Sequence, residues 1–183
     1  QLKTLISVGG WTGSKDFSNV ALTPESRTRF AQSAVTFIRQ YGFDGVDIDW
    51  EFPVAGGDPG NSARPEDKQN FTKLMQSLRD ALDAAGRADR QKYLLTAAIG
   101  STKDYIENTE MEKVAKILDW ANIMTYDFSG HWNIYAGHNT PMHDDPAIGR
   151  PDVDYEMKFT SVVKRMRDAG GPPGKMTLGM AFY

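Results

Sequence analysis

The sequence predicts an α/β fold in which parallel strands alternate with crossover helices, and two observations support this prediction. First, five short apolar runs with strand character are separated by longer segments with helical signals. The runs lie near residues 2–8, 43–50, 93–99, 121–127 and 176–182. Second, the runs are apolar nearly throughout, as expected for parallel strands covered on both faces. Right-handed crossovers could join them in an open doubly wound sheet or in a barrel, and periodicity alone leaves that choice open.

Four helices are predicted between the strands, at residues 24–41, 65–85, 110–118 and 154–169. The first has Thr23 as a candidate N-cap and Pro24 at its first position, and apolar residues follow at helical spacing. The second is expected to end at Gly86 as its C′ residue. Long loops rich in Gly, Pro and aromatic residues follow two of the strands, at 52–64 and 128–151, where α/β proteins usually hold their chemistry.

Composition excludes several classes of protein. A net charge of −3, without clustered positive residues, offers no basic stripe for nucleic acid. No apolar run approaches the roughly 20 residues of a membrane-spanning helix, so we expect no membrane partner. Because there is no cysteine, disulfides, thiolate metal sites and a thiol nucleophile are excluded.

The most informative segment is the second predicted strand with the residue that follows it. Residues 44–51 read Asp-Gly-Val-Asp-Ile-Asp-Trp-Glu. Side chains alternate along a strand, so Asp47, Asp49 and Glu51 share one face, and Trp50 lies on the opposite, apolar face. Because neighbouring like charges cannot all ionise cheaply, at least one acid should hold a proton near neutral pH. This arrangement suits a general acid, with Glu51 outermost at the mouth of the strand. A Mg²⁺ or Ca²⁺ site and a solvated strand face are the alternatives.

This segment resembles the signature of the family 18 glycoside hydrolases, the chitinase family, whose catalytic acid is the closing glutamate. Three other segments resemble family motifs in the same order: Ser-Val-Gly-Gly at 7–10, Met-Thr-Tyr-Asp at 124–127 and Gly-Met-Ala-Phe-Tyr at 179–183. The amino-acid sequence around residues 119–146 is most similar to that of bacterial-type chitinases. The resemblance implies a (β/α)8 TIM barrel, and it identifies the five runs as strands three to seven of the barrel.

The resemblance also implies a mechanism. Members of the family retain configuration by substrate assistance, in which the acetamido oxygen of the sugar attacks the anomeric carbon. Glu51 would then protonate the leaving oxygen and later activate water. Asp49 would accept the acetamido N–H, Asp47 would share a proton with Asp49, and Tyr126 would donate to the acetamido oxygen.

Other residues are expected to bind the substrate or to support the site. Ser7 would hydrogen-bond Asp47, and Met124 would point inward together with Tyr126. By the same resemblance, Trp11 on the leaving-group side and Trp132 would be sugar platforms, and Asp127 would hydrogen-bond the sugar at the mouth. Tyr183 would line the non-reducing side. Trp50 and Trp120 are expected in the core. The spacing of His131, His138 and His143 fits no standard zinc pattern, so neither a metal nor another cofactor is expected.

The expected function is hydrolysis of chitin, with N-acetylglucosamine oligosaccharides as partners and, because the substrate is a polymer, an extracellular location. A catalytically silent chitin-binding lectin and an endo-β-N-acetylglucosaminidase acting on N-glycans use the same barrel. The lectins usually lack the acidic glutamate, which is present here as Glu51, and the loop residues Trp11 and Trp132 favour linear chitin over N-glycans.

We expect residues 1–183 to be an excerpt, a single partial catalytic domain, because the chain begins and stops inside strand signals and a typical barrel needs about 250 residues. Without strands one, two and eight the barrel cannot close, and open sheet edges promote association. We therefore predict that residues 1–183 alone are unstable or inactive. A soluble, cooperative thermal melt of this segment would contradict the predicted instability.

Overall fold

The computed structural model describes residues 2–134, 136–143 and 157–183, and in them five parallel strands form one sheet. The strands are β1 (Leu5–Gly9), β2 (Gly45–Asp49), β3 (Leu94–Ile99), β4 (Trp120–Ile123) and β5 (Met176–Leu178). Each strand pairs with the next along the chain, so the spatial order is the sequence order. A doubly wound sheet reverses its order at a switch point, whereas a barrel does not. The described sheet is therefore part of a (β/α) barrel.

Helices connect the strands. They are α1 (Phe17–Leu22), α2 (Pro24–Tyr41), α3 (Asp67–Asp89), α4 (Lys103–Glu107), α5 (Met111–Ile117) and α6 (Phe159–Asp168), and a 3₁₀ turn spans Pro173–Lys175. In the described ranges, no helix has the length and apolar content that crossing a membrane would require. The four predicted helices correspond to α2, α3, α5 and α6, although residues 154–156 of the last prediction, like part of the predicted loop 128–151, lie outside the described residues.

One hydrophobic core lies between the helices and the outer face of the sheet. Val46 and Ile48 of β2 are fully buried, and so are Leu74 and Leu78 of α3, because the strand presents alternate residues to the helices. Trp50 continues the same face and stacks on Phe17 with ring centroids 5.5 Å apart. The acids at positions 47, 49 and 51 consequently face the other side, towards the interior of the barrel.

The predicted start of α2 is confirmed. Thr23 caps the helix by accepting from the Ser26 N–H, the Ser26 side chain accepts from the Thr23 N–H, and Pro24 occupies the first turn. The helix ends at Tyr41, and the following Gly42 adopts a left-handed conformation that caps it. This helix packs on α3 and also contacts β2.

The predicted end of α3 at Gly86 is wrong. The helix continues to Asp89, and Arg90 takes the left-handed conformation that ends it. A Cβ atom at position 86 would lie 2.4 Å from the Gln91 carbonyl oxygen, so this glycine allows the returning chain to approach closely. The short helices α1 and α4 were not predicted.

Candidate active site

An open cleft of about 990 Å³ lies at the carboxyl ends of the strands. Its walls come from the loops that follow β1, β2, β3 and β4 and from the last residue of the chain. The predicted site residues that line it are Asp49, Glu51, Met124, Tyr126, Asp127, Trp11, Trp132 and Tyr183. Asp47 and Ser7 lie one level deeper in the sheet. The structure therefore brings the predicted residues together at one end of the barrel, where barrel enzymes bind their substrates.

Asp47 is the most extensively hydrogen-bonded of the three acids. Ser7 donates to Oδ2 at 2.8 Å, and Thr96 and Asn122 donate to Oδ1 at 2.5 and 3.0 Å. Ser7 and Thr96 are the register partners of Asp47 on β1 and β3, so the parallel pairing itself aligns the donors with the carboxylate. Asn122 is held in turn by Trp120 Nε1–H at 3.0 Å and the Thr177 hydroxyl at 2.7 Å.

Asp49 lies above Asp47 in a different environment. Its Oδ1 atom is buried and accepts no hydrogen bond from the residues that the structure describes. Burial raises the pKa of Asp49, and the negative charge of Asp47 raises it further. This carboxyl therefore holds a proton more readily than an ordinary aspartate, and its unused oxygen is available to a ligand.

Glu51 is the outermost acid and points into the cleft. Burial, followed by the charges of Asp49 and Asp127, raises its pKa to about 7. The side chain is half-buried, and among the described residues none hydrogen-bonds its carboxyl group. A carboxyl of this kind can donate a proton near neutral pH and take it back later, which is the requirement for a general acid.

Tyr126 and Met124 line the cleft beside these acids. The predicted strand 121–127 ends early, at Ile123, because the Thr125 N–H donates back to the Ile123 carbonyl and turns the chain. The half-buried Tyr126 has a raised pKa, first through burial and then through the charges of the acids, so its hydroxyl stays a hydrogen-bond donor. A Cβ atom at Gly179 would lie 2.6 Å from the Tyr126 ring, so only glycine leaves space for it.

Asp127 occupies the mouth of the cleft with a left-handed backbone (φ 58°). The Tyr183 hydroxyl donates to both of its carboxylate oxygens, at 3.0 and 3.1 Å, and Asn139 Nδ2 donates to Oδ1 at 3.0 Å. Burial and the hydrogen bond to Asp127 raise the pKa of the Tyr183 hydroxyl. These two predicted sugar-binding residues thus contact each other directly.

Two exposed tryptophans stand on the cleft walls. Trp11 is 48% exposed; its indole N–H donates to Asp58 at 3.0 Å and its ring meets Phe52 edge-on. Trp132 is 57% exposed and lies edge-on against His131. Flat, exposed aromatic faces of this kind suit the apolar faces of sugar rings.

The other two tryptophans differ from each other. Trp50 is buried in the core, as predicted. The prediction of a core position for Trp120 is wrong, because Ala121 and Ile123 take the outward positions of β4. Trp120 therefore lies half-buried on the face of the acids and supports Asn122.

Several residues of the site were not predicted from the sequence. Thr96 and Asn122 are polar residues inside otherwise apolar strands, and that departure was the available signal. The Ser14 and Asn61 side chains hydrogen-bond the main chain of Glu51.

Tyr105 of α4 is a further unpredicted residue of the cleft wall. It packs edge-on against Phe52, and its buried hydroxyl has no partner among the described residues. Burial, reinforced by the charge of Asp49, raises the pKa of Tyr105.

Within the described ranges, no group of three or more His, Cys, Asp or Glu side chains has an arrangement that could hold a metal ion. The absence of a metal cofactor remains a prediction.

Comparison with known proteins identifies the family. The sequence profile described as "Glycosyl hydrolases family 18" matches residues 1–183, which is the whole chain. The chain belongs to this family. It is 54% identical over 185 residues to Chitinase A1 of Niallia circulans and 37% identical over 186 residues to Chitotriosidase-1 of Mus musculus. The alignments cover the whole chain but only 26% and 39% of these relatives, so the chain spans well under half the length of either.

Solved family 18 structures agree with the fold. A chitinase from Bacillus thuringiensis superposes with a TM-score of 0.94 at 47% identity, over 98% of this chain and 28% of that one. A family 18 N-acetylglucosaminidase from Paenibacillus barengoltzii superposes with a TM-score of 0.91 at 38% identity, over the whole chain and 52% of that one. These relationships confirm the predicted family and the barrel fold.

The raised pKa of Glu51 predicts how the free energy of unfolding of this protein depends on pH. The folded state keeps the Glu51 proton up to about pH 7, whereas an unfolded glutamate releases it near 4.5, so this group lowers the free energy of unfolding as pH rises between those values. Glu51→Gln should therefore be more stable than the parent at pH 8, by about 1–2 kcal/mol after allowance for solvent screening. The two proteins should converge below pH 4.5. Urea unfolding of the natural full-length chain at pH 4 and 8 measures this difference.

Glu25→Gln is the matched control with the opposite sign. Backbone hydrogen bonding at the start of α2, together with Thr23, lowers the pKa of Glu25, so its charge stabilises the fold above pH 4.5 and that contribution is lost as pH falls. The Glu25→Gln variant should be less stable than the parent at pH 8. Equal effects of the two substitutions at pH 8 would contradict the raised pKa of Glu51.

Proposed function

We propose that this protein hydrolyses β-1,4-linked N-acetylglucosamine polymers, that is chitin, with retention of configuration through an oxazolinium intermediate. The observation that carries the proposal is the half-buried carboxyl of Glu51, whose pKa of about 7 lets it act as acid and then as base. The family to which the chain belongs, and the chitinases among its relatives, support the same reaction.

In the first step, the acetamido oxygen of the sugar attacks the anomeric carbon while the bond to the leaving oxygen breaks. Glu51 transfers its proton to that oxygen. In the second step water attacks the anomeric carbon, Glu51 takes the proton from the water, and the acetamido group is regenerated. Only one carboxyl is needed at the scissile bond, because the substrate itself supplies the nucleophile.

Asp49 serves the acetamido group. Its buried Oδ1 lacks a partner among the described residues, so it can accept the acetamido N–H without giving up another hydrogen bond. The negative charge of Asp49, once ionised, stabilises the positive oxazolinium ion. Asp47 lies beneath it and raises its pKa, which favours the sharing of one proton between the two aspartates.

Tyr126 orients the nucleophile. Its raised pKa keeps the hydroxyl protonated, and the hydroxyl donates to the acetamido oxygen so that this atom stays near the anomeric carbon. Met124 fills the wall beside it. Trp11 and Trp132 provide stacking surfaces for sugar rings, and the joined side chains of Asp127 and Tyr183 bind sugar hydroxyls at the mouth of the cleft.

A polymeric substrate lies outside the cell, so we propose that the protein is secreted. The partners are chitin and its oligosaccharides.

The first test of the proposal is activity of the natural full-length chain on a chitobiose glycoside with a fluorescent leaving group. We expect Glu51→Gln to lower kcat by about 10²–10⁴-fold, since the variant cannot protonate the leaving oxygen. Glu107→Gln, which changes another glutamate on the cleft wall, should keep the parent's activity. A metal chelator should have no effect, and NMR of the first product should show the retained β-anomer.

Other outcomes separate the rivals. A parent that binds chitin oligosaccharides but releases no fluorophore would be a lectin. Cleavage of N-glycans without cleavage of chitin would indicate an endo-β-N-acetylglucosaminidase. Loss of activity with the chelator would instead favour a metal-dependent hydrolase.

The pH profile gives a second prediction. Because Glu51 must be protonated to act as an acid, kcat/KM should fall as pH rises through about 7. The charge of Asp127 helps to hold the pKa of Glu51 up, so Asp127→Asn should move this limb of the profile to lower pH. Asp104→Asn is the control, because Asp104 lines the cleft but does not contribute to the raised pKa. An unshifted limb in Asp127→Asn would contradict the assignment of the limb to Glu51.

A further inference from the structure

Glu51 lies just beyond the last hydrogen-bonded residue of β2. The pairing of β2 ends at Asp49 on the side of β1 and at Ile48 on the side of β3. The peptide groups of Glu51 therefore receive no partner from the sheet, although buried N–H and C=O groups need one. Among the described residues, none hydrogen-bonds the Glu51 carboxyl either, so the position of the main chain is a constraint on where that carboxyl can reach.

Ser14 supplies a partner for the Glu51 N–H. Its fully buried Oγ accepts this N–H at 2.9 Å, and its own proton faces the carbonyl oxygens of Gly10 at 2.8 Å and Asp49 at 3.1 Å. The Gly10 N–H donates to the same Asp49 carbonyl at 2.8 Å. One hydroxyl thus joins the loop after β1 to the main chain on both sides of Trp50.

Asn61 supplies a partner for the Glu51 carbonyl. Its Nδ2 donates to that oxygen at 2.9 Å from the loop that follows β2. The loop packs closely there, because a Cβ atom at Gly57 would lie 2.1 Å from the same oxygen and Gly57 has a left-handed φ of 82°. The Ser62 N–H then donates to the Lys15 carbonyl at 3.0 Å, which ties this loop to the segment that carries Ser14.

We propose that Ser14 and Asn61 are positioning residues that hold the main chain of Glu51 from both sides and so fix the direction in which its carboxyl enters the cleft. The inference rests on the proposed role of Glu51 as the catalytic acid. Neither residue touches the reacting atoms. Their effect is to keep a flexible glutamate within the small range of positions from which it can protonate the leaving oxygen, and a displacement of about 1 Å there can cost about a hundred-fold in rate.

The test compares Ser14→Ala and Asn61→Leu with the parent in the natural full-length chain. Leucine has nearly the shape of asparagine but no donor, so Asn61→Leu removes the hydrogen bond while it keeps the packing. Ser33→Ala is the control, since it deletes an exposed hydroxyl that donates to a backbone carbonyl at 2.7 Å within α2. The measurements are kcat and KM on the chitobiose glycoside, and the pKa of Glu51 from an NMR titration of its side-chain carboxyl.

We expect kcat to fall about ten- to a hundred-fold in both variants while KM changes less than about two-fold. The pKa of Glu51 should fall by at least about half a unit, because a released carboxyl reaches more solvent. The ionisable groups that face this carboxyl are Asp49 on β2, Tyr105 on α4, Tyr126 and Asp127 after β4, and Tyr183 after β5. All of these remain in the variants, so a changed pKa reports movement of Glu51 relative to them.

An unchanged pKa of Glu51 in both variants would overturn the inference. A loss of activity in proportion to the loss of folded protein would also overturn it. The NMR titration does not depend on turnover. It therefore tests the positioning of Glu51 even if the parent proves to be a lectin, and in that case the proposed function fails while the positioning role is still decided.

Discussion

The stacking of three carboxyl groups on one face of β2 and of the residues that continue it is the constraint on which the rest of the site depends. Asp47, Asp49 and Glu51 follow one another at strand spacing towards the mouth of the barrel, with Trp50 and its neighbours on the opposite face buried in the core. The core therefore prevents the strand from turning its acids to solvent. Like charges in this position must be compensated by donors or by protons.

The structure compensates them differently along the strand. Asp47 accepts three hydrogen bonds, two of them from its own register partners on β1 and β3. Asp49 lacks such donors among the described residues, and its pKa is raised. Glu51, with a pKa of about 7, is the acid that exchanges a proton most readily at neutral pH. The number of donors that the neighbouring strands present therefore differs along β2: Asp47 at the bottom accepts three hydrogen bonds, whereas the acid at the top, Glu51, accepts none from the described residues and has a raised pKa.

Much of this arrangement could be predicted from the sequence, because it depends on local periodicity. Alternation along residues 44–51 placed the acids on one face and Trp50 on the other, and the resemblance of four motifs, at four of the five strands, to those of the family implied the barrel. Residues whose role depends on distant partners were missed. Asn122 acts on Asp47 from 75 positions away, and Asn61 reaches Glu51 across a loop whose path no periodicity describes. The two errors have a similar cause. Gly86 is needed for a close approach of the returning chain and does not end the helix, and the register of the short strand β4 decides the face on which Trp120 lies.

The two loops beside the acid also hold the exposed aromatic wall. The segment after β1 carries both Trp11 and Ser14, and the segment after β2 carries both Asp58, which accepts the Trp11 indole N–H, and Asn61. The same pair of loops therefore fixes the tryptophan face and the main chain of Glu51 relative to each other. On the proposed function, a sugar ring that stacks on Trp11 would therefore lie on a wall that the same two loops hold against the main chain of the acid. Preorganisation of this kind would lower the entropy cost of bringing the glycosidic oxygen to the proposed acid.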